Sequence, residues 1–345
     1  EHLSFGAKMM ALSNWEIPAH YGDPESEYKA ARAGVALMDV SFLTKVTARG
    51  KDHLEYLNRR TSQRVIEQQP GEGQRANQLN GEGRMEADFV FYRVDEELSL
   101  LISPPTISGQ YLQALMDKYV FTEDAVFEEA CEQWAAFALL GPKAQEVLTA
   151  LGAGRPANRA ISSISLEGKS VYLLENDFTC QAPVVLVKKE DAAPVFAKLR
   201  SQVEGAGGRL IGFLPFDTLR VEAGIAWWGI DLTEQSIPLD ADLTDAIHTN
   251  KGCYPGQETI AKVINLGHPA RKLVGIEWDS EDPPPAGSEI TSDGKKAGVL
   301  TSSTYSPRQD KAIGLAMVRW KYREAGTQVT GERGTSGTIV TLPFG

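Results

Sequence analysis

The pattern of predicted secondary structure changes near residue 270, and this change constrains the fold more than any other feature of the sequence. Before it, short apolar strands alternate with amphipathic helices, which indicates α+β layers. After it, residues 271–345 contain only short strands separated by Pro, Gly, Asp and Ser, which is typical of an all-β module.

The length of the chain also requires more than one domain. Its 345 residues exceed the roughly 250–300 at which a single hydrophobic core stops growing. We therefore predict an α+β region at 1–268, built from two interleaved α+β domains of which one covers about 45–130. A β domain is expected at 269–345.

Local patterns define several elements of the first region. Asp23-Pro24 is a typical helix start, and a helix is predicted from about Glu25 to Ala33. Two alternating segments flank Asn80-Gly81-Glu82-Gly83, which predicts a β-hairpin over Arg75–Val94. The segment Trp15–Gly22 mixes aromatic residues with a proline, and we expect irregular structure there.

Charge and cysteine content exclude several classes of protein. Lys and Arg number 35 against 46 Asp and Glu, a net charge of −11, which argues against non-specific binding to nucleic acids or anionic membranes. Three cysteines lie far apart without a CxxC pair, so a disulfide framework is not expected and a reducing cytoplasm fits. No apolar run reaches the 18 residues of a membrane span.

The segment Lys251–Thr259, KGCYPGQET, is the most unusual stretch of the chain. Its glycines and proline predict a tight turn, and QETIAKVI continues with helical spacing. Cys253 would precede a helix N-terminus with Lys251 nearby, and both neighbours favour a reactive thiolate. The alternative interpretation is a structural turn that contains a small buried cysteine.

This segment resembles the signature of the YgfZ-type folate-binding proteins, which are associated with iron–sulfur cluster assembly or repair. Their fold is similar to that of the glycine cleavage T-protein, an aminomethyltransferase. Four further segments carry the resemblance, namely FGAKMMALSNWEIPAHYG, GVALMDVS, FDTLRVEAGIAWWGIDL and AGVLTSSTYSPRQDKAIGLAMV. The resemblance implies an α+β, three-domain T-protein-like ring (cloverleaf) with a C-terminal all-β barrel or jelly-roll-like module. Tetrahydrofolate, or a one-carbon derivative of it, would bind in the central hole.

Several positions depart from the T-protein pattern. In an ungapped alignment, the resemblance places the catalytic acid of the T-protein on Ala87 and its second, non-catalytic carboxylate on Asp88. A shift of the alignment by one residue would instead place the acid on Asp88. The turn that supplies a pterin-binding Glu, Gly-Tyr-Thr-Gly-Glu, is replaced by DFTCQ at 177–181. The hairpin tyrosine appears as Arg75, and an arginine before the DTLR helix appears as Phe216. These departures oppose efficient aminomethyl transfer.

The candidate site combines the unusual segment with the carboxylate of the hairpin. We assign a catalytic role to Cys253, Lys251 and Asp88. The residues that the resemblance implies for folate binding are Asp88, Trp228, Lys251, Tyr254, Gln257, Glu258 and Arg271.

Each of these proposed binding groups also has a purely structural interpretation. Trp227-Trp228 would stack on a pterin ring or form part of a domain core. Lys262, Arg271 and Lys272 would hold a folate glutamate tail or form a solvated basic face. No metal site is expected, because the five histidines are scattered without ligand spacing.

Three functions fit these observations. The first is a tetrahydrofolate-binding protein that supports iron–sulfur cluster assembly or repair, with iron–sulfur enzymes or assembly proteins as partners. The alternative is a folate-dependent aminomethyltransferase, or a related methyltransferase or demethylase. A third is an interaction module that has kept only the scaffold. In each case we expect a cytoplasmic protein that binds neither nucleic acid nor membrane.

Overall fold

The computed structural model describes all 345 residues and divides into two compact units. Unit one contains Glu1–Ala76 and Ala87–Phe216, and unit two contains Asn77–Glu86 and Asp217–Gly345. The division expected at residues 268 and 269, and the inner domain at about 45–130, stay predictions. No helix has the length and apolar character needed to cross a membrane.

Seven α-helices and nineteen strands make up the regular structure. The helices are α1 (Pro24–Ala33), α2 (His53–Arg60), α3 (Gly109–Asp117), α4 (Ala144–Ala150), α5 (Ala192–Gly205), α6 (Phe213–Glu222) and α7 (Gln257–Leu266). The strands are β1 (Lys8–Leu12), β2 (Trp15–His20), β3 (Ala36–Asp39), β4 (Thr44–Arg49), β5 (Gly73–Leu79), β6 (Met85–Arg93), β7 (Ser99–Ser103), β8 (Val126–Glu129), β9 (Trp134–Leu140), β10 (Ile161–Leu166), β11 (Lys169–Glu175), β12 (Pro183–Lys188), β13 (Arg209–Leu210), β14 (Arg271–Trp278), β15 (Glu289–Ser292), β16 (Lys295–Ser306), β17 (Lys311–Arg319), β18 (Gln328–Thr330) and β19 (Ser336–Val340).

A six-stranded sheet with the order β10-β11-β12-β9-β3-β13 organises one part of unit one. Its neighbouring strands are antiparallel except for β13, which runs parallel to β3. Helix α5 packs on this sheet through Val195, Leu199 and Val203, which recur every four residues on one face. The apolar cluster that results also buries Phe137 of β9.

A five-stranded sheet with the order β5-β6-β7-β4-β8 contains the predicted hairpin. Strands β5 and β6 flank the turn, so this prediction is confirmed. The side-chain carbonyl of Asn80 accepts hydrogen bonds from the amides of Glu82 (2.9 Å) and Arg84 (3.1 Å). Gly83 has φ +79°, a conformation that favours glycine. The tip of this hairpin, Asn77–Glu86, belongs to unit two.

The irregular structure expected for Trp15–Gly22 is wrong, because Trp15–His20 forms strand β2 and pairs with β1. The register shifts between Lys8 and Met9, opposite the segment that contains Pro18. Proline lacks an N–H, but strands at the edge of a sheet and bulges tolerate it, and a two-stranded ribbon has two free edges. Strand β10 was likewise not foreseen from the sequence.

The C-terminal part of unit two is a closed barrel with the order β14-β17-β16-β15-β18-β19. Its interior contains Ile276, Trp278, Leu300 and Ile339, all with no exposed surface. Closure leaves no unpaired strand edge. The expected α+β class with a C-terminal all-β barrel is therefore confirmed.

Arg220 links three segments of unit two through a buried guanidinium. It donates from Nη1 to Asp231 Oδ2 and from Nη2 to the Ser302 hydroxyl, both at 2.7 Å. It also donates from Nε to Asp217 Oδ1 at 2.7 Å. Asp231 is fully buried and Arg220 is 1% exposed. The ionic partner of Arg220 in the interior is therefore Asp231.

Replacing Arg220 by Met is expected to destabilise unit two by about 3–5 kcal/mol, because the Asp231 carboxylate would remain buried without its guanidinium. Urea unfolding measures the loss. Arg323→Met is the control, since Arg323 pairs with Glu324 near the surface, where such pairs contribute about 0–1 kcal/mol. Equal losses for the two variants would contradict this account.

Candidate functional site

Asp88 lies on strand β6 with a fully buried side chain. Arg75, on the neighbouring strand β5, donates from Nε to Oδ1 at 2.9 Å and from Nη2 to Oδ2 at 2.5 Å. Since side chains alternate along a strand, Ala87 faces the opposite side of the sheet. The carboxylate is therefore bound on both oxygens by one guanidinium, a geometry that fixes its orientation.

A second carboxylate continues this arrangement within unit one. Arg75 Nη1 lies 3.6 Å from Asp177 Oδ2, and Arg159 binds both oxygens of Asp177 at 2.7 and 2.6 Å. The ring of Phe178 lies under Arg75, 5.1 Å from the guanidinium carbon. We call Asp88, Arg75, Asp177 and Arg159 the buried charge row. Its four charges alternate in sign, so each carboxylate has a cation at hydrogen-bonding distance.

The turn that contains Asp177 has a strained backbone. Cys180 and Gln181 both have positive φ, 56° and 55°, although neither is a glycine. Such residues cost about 1–2 kcal/mol each and persist only where the surroundings require them. The turn is held by Asn176, whose side chain accepts from the Phe178 amide at 2.9 Å. The resemblance aligns a glycine with Cys180, which explains why this conformation suits the position.

Tyr92 anchors the same turn from strand β6. Its hydroxyl donates to the Glu175 carbonyl at 2.6 Å and accepts from the Asn176 side chain at 3.0 Å. Burial raises the pKa of Tyr92 well above its usual range. This tyrosine therefore stays protonated and acts as a structural donor.

The segment Lys251–Thr259 forms a turn and the start of α7 in unit two. Gly256 has φ +77°, and a Cβ there would lie 2.5 Å from the Gly83 Cα and 2.6 Å from the Asn80 carbonyl oxygen. A Cβ on Gly83 would lie 3.0 Å from the Thr259 Cβ. The segment thus packs directly on the tip of the β5–β6 hairpin, and this contact requires glycine on both sides.

The side chains of this segment differ in exposure. Lys251 is buried, with Nζ 5.3 Å from the ring centre of Tyr254, and burial raises the pKa of Tyr254. Gln257 is half-buried and Glu258 is exposed. Cys253 is exposed, so the interpretation of a buried turn cysteine is wrong. The proposed reactivity of Cys253 stays a prediction.

Arg271 begins strand β14 and is half-buried. Its Nη2 donates to Asp240 Oδ2 at 3.2 Å and to the Gln235 carbonyl. Burial raises the pKa of Asp240, and Arg271 partly offsets that effect. In the barrel, Arg271 lies directly opposite Arg319 of β17. Two like charges in this position repel each other, so the pair favours a bound anion.

A cavity of about 430 Å³ in unit two contains these two arginines. Lys296 of β16, which pairs with Glu289 at 2.7 Å, supplies a third cation, and Ile230, Val299 and Met317 are among the apolar lining residues. The sequence did not indicate Arg319 or Lys296, because only the barrel register brings them to Arg271. Of the other basic residues expected here, Lys272 pairs with Asp242, and Lys262 does not line the cavity.

The predicted site residues divide between the two units. Asp88 lies in unit one, whereas Trp228, Lys251, Cys253, Tyr254, Gln257, Glu258 and Arg271 lie in unit two. Trp228 is half-buried and its neighbour Trp227 is fully buried. The expectation that these residues share one folate pocket stays a prediction. The structure contains no group of three or more His, Cys, Asp or Glu side chains that could hold a metal ion.

Gly256→Ala is expected to destabilise the protein, since positive φ alone costs about 1–2 kcal/mol and the contact with Gly83 adds to it. Gly252→Ala is the matched control from the same turn, because a Cβ there meets no atom within 4 Å. It should change stability by less than about 0.5 kcal/mol. Chemical denaturation compares the two variants, and equal effects would show that the hairpin contact contributes nothing.

Two family models match the chain in sequence order. The GCVT N-terminal domain matches residues 1–251, and the glycine cleavage T-protein C-terminal barrel domain matches residues 271–344. An aminomethyltransferase from Oceanobacillus iheyensis is 27% identical over 361 residues, covering 100% of this chain and 96% of that protein. Another, from Halalkalibacterium halodurans, is 29% identical over 348 residues, covering 99% and 94%.

A solved structure has the same fold. The crystal structure of glycine cleavage system aminomethyltransferase T from Bartonella henselae superposes with a TM-score of 0.88. It is 24% identical in sequence, and the match covers 100% of this chain and 96% of that one. The expected T-protein fold is therefore confirmed.

The expected role in iron–sulfur cluster assembly or repair is wrong, and the expected iron–sulfur partners are not supported. The relatives that match the whole chain carry the name aminomethyltransferase, which favours the alternative function. The segment KGCYPGQE is not evidence against this result. Its Gly256 has a structural role, because a side chain there would collide with the hairpin tip. Tetrahydrofolate as the cofactor is consistent with these relatives. Because the GCVT N-terminal domain model matches more than half of its residues, the chain belongs to the GCVT family.

Proposed function

We propose that the chain is a tetrahydrofolate-dependent one-carbon transferase, with the aminomethyl group as the first candidate for the transferred unit. The observation that carries this proposal is the match of both family domains over nearly the whole chain. The names of the full-length relatives support the same activity. The acidic charge and the cysteine usage support a cytoplasmic location, which we include in the proposal.

The cavity of unit two fits one end of a folate. A folate ends in an aromatic amide of glutamate, which presents a flat apolar group followed by carboxylates. The apolar lining residues match the first part, and Arg271, Arg319 and Lys296 match the second. The carboxylates would also relieve the repulsion between the opposed arginines. When bound, tetrahydrofolate supplies a ring nitrogen that accepts the one-carbon unit.

The buried charge row limits what Asp88 contributes. Both oxygens of Asp88 accept hydrogen bonds from Arg75, and the side chain has no exposed surface. Proton transfer by Asp88 would therefore require Arg75 to release one oxygen. Ala87, to which the resemblance assigns the position of the T-protein acid, has no proton to give. We infer that the chain transfers aminomethyl groups slowly and that the charge row serves mainly to position strands β5 and β6.

An aminomethyl-transfer assay tests the proposed function. Aminomethylated carrier protein is mixed with tetrahydrofolate, and release of ammonia is measured with and without the chain. We expect slow, folate-dependent release. Ala87→Asp should accelerate it, up to the roughly 10²–10⁴-fold that a positioned acid supplies.

Ala87→Asn is the matched control, because it has the size of Asp without the acid. It should leave the rate unchanged. Thermal unfolding checks that both variants fold, since position 87 is fully buried. No folate-dependent release by either the natural chain or Ala87→Asp would contradict aminomethyl transfer.

Arg319→Glu is expected to weaken tetrahydrofolate binding by about 3–10-fold, since a partly solvated charge contributes on the order of 1 kcal/mol. Lys321→Glu makes the same charge change two residues away, outside the cavity, and should have little effect. Isothermal titration with tetrahydrofolate measures both. A tetrahydropterin, which lacks the aminobenzoyl group and every carboxylate of the glutamate, should bind the natural chain and Arg319→Glu equally. Equal affinities of the two variants for tetrahydrofolate would show that the glutamate of folate does not bind in this cavity.

A further inference from the structure

Exposure decreases along the buried charge row from Arg159 to Asp88. The side chain of Arg159 is 16% exposed, those of Asp177 and Arg75 are each 9% exposed, and that of Asp88 has no exposed surface. Arg75 donates to both oxygens of Asp88, so the more exposed member of this pair covers the carboxylate. Removing the Arg75 side chain is therefore expected to open Asp88 to small molecules.

The surroundings of the Arg75 guanidinium have the features of a binding site for a planar cation. Its Nε and Nη2 donate side by side to Asp88, and its Nη1 lies 3.6 Å from Asp177 Oδ2. Its central carbon lies over the Phe178 ring, 5.1 Å from the ring centre. A carboxylate that accepts two parallel hydrogen bonds, a second carboxylate and an aromatic face are the groups that recognise a guanidinium. The same groups suit any small planar molecule that has two parallel N–H donors.

The walls of this site are held in place without Arg75. The Asn176 side chain accepts from the Phe178 amide at 2.9 Å, and Arg159 binds both oxygens of Asp177 at 2.7 and 2.6 Å. The structure around a truncated buried side chain relaxes only partly. The space left by a shortened Arg75 is therefore expected to remain as a cavity with the shape of the group that it contained.

One end of a folate presents the same donors as Arg75. The aminopyrimidinone edge of its pterin carries an amino N–H beside a ring N–H, so it can donate two parallel hydrogen bonds to a carboxylate. In the natural chain Arg75 already makes these hydrogen bonds to Asp88. The two groups would therefore compete for the same two oxygens.

We propose that Asp88, Asp177 and Phe178 form a site for a planar guanidine-type group, and that Arg75 is its resident occupant. Arg75 thereby keeps the aminopyrimidinone edge of a folate away from Asp88. The site and its occupant follow from contacts within unit one, and only the exclusion of folate rests on the proposed function. A tetrahydropterin that binds the natural chain accordingly makes no contact with Asp88.

Arg75→Ala with two small cations tests the site. Methylguanidinium and methylammonium carry the same charge, but only the first has the planar fork of an arginine. Thermal unfolding of the full chain is followed against millimolar probe at constant ionic strength. Methylguanidinium should stabilise this variant and bind it about 10–100-fold more tightly than methylammonium, as expected for hydrogen bonds to a charged group. If the variant is unfolded in buffer, methylguanidinium should restore a cooperative transition and methylammonium should not.

Two matched proteins control this measurement. The double variant Arg75→Ala, Asp88→Asn keeps the space and replaces the carboxylate by an amide of the same size, so it should lose the preference for methylguanidinium. The natural chain should show no preference, because Arg75 fills the site. Equal effects of the two cations on Arg75→Ala would overturn the proposal. A preference that persists in the double variant, or that is as strong in the natural chain, would also overturn it.

Isocytosine and uracil test the exclusion of the aminopyrimidinone edge. Isocytosine carries the amino group and the neighbouring ring N–H, whereas uracil has a carbonyl oxygen in place of the amino group. Ligand-observed NMR should show isocytosine binding Arg75→Ala about tenfold more tightly than uracil, and the natural chain should not distinguish them. Equal affinities in Arg75→Ala would show that Arg75 does not exclude this edge from Asp88. The measurement uses no folate and no transfer reaction, so its result and that of the aminomethyl-transfer assay can fail separately.

Discussion

A guanidinium paired with a fully buried carboxylate organises each of the two units. In unit two Arg220 joins α6, the segment that contains Asp231 and strand β16. In unit one Arg75 holds Asp88 and approaches the turn that contains Asp177. A planar guanidinium suits this role, because its fixed fork can serve several acceptors that come from distant parts of the chain.

The contacts in the structure change the interpretation of two sequence motifs, the carboxylate of the hairpin and the cysteine of the segment Lys251–Thr259. A carboxylate beside a glycine-rich hairpin suggests an acid, but Asp88 is engaged by Arg75 on both oxygens. A cysteine in a glycine-rich turn suggests a reactive centre, but the position of Gly256 is explained by its contact with Gly83. The proposed catalysis therefore rests on the family match rather than on either motif.

The sequence predicted those parts of the structure that depend on local chemistry. The Asn80–Gly83 turn, the helix that starts after Asp23 and the β character after Arg271 follow from turn residues, caps and alternation. The sequence did not predict strand β2, because it contains Pro18 and proline normally opposes strand formation. The proline is tolerated here because β2 pairs with β1 alone and keeps a free edge. The partners of Asp88 and Arg271 were missed as well, since cross-strand register and barrel closure bring Arg75 and Arg319 beside them. The functional prediction followed the segment KGCYPGQE rather than the rest of the chain. The relatives that match the whole chain corrected that prediction.

The opposed arginines of the barrel have a consequence for how this protein behaves in different solutions. Arg271 and Arg319 repel each other across β14 and β17, and small multivalent anions can screen that repulsion as well as a ligand can. Sulfate or phosphate in a buffer would therefore stabilise the empty barrel and compete with any carboxylate ligand at the same time. Affinities measured in such buffers would understate those in chloride at equal ionic strength, and the choice of counter-ion becomes part of the binding equilibrium.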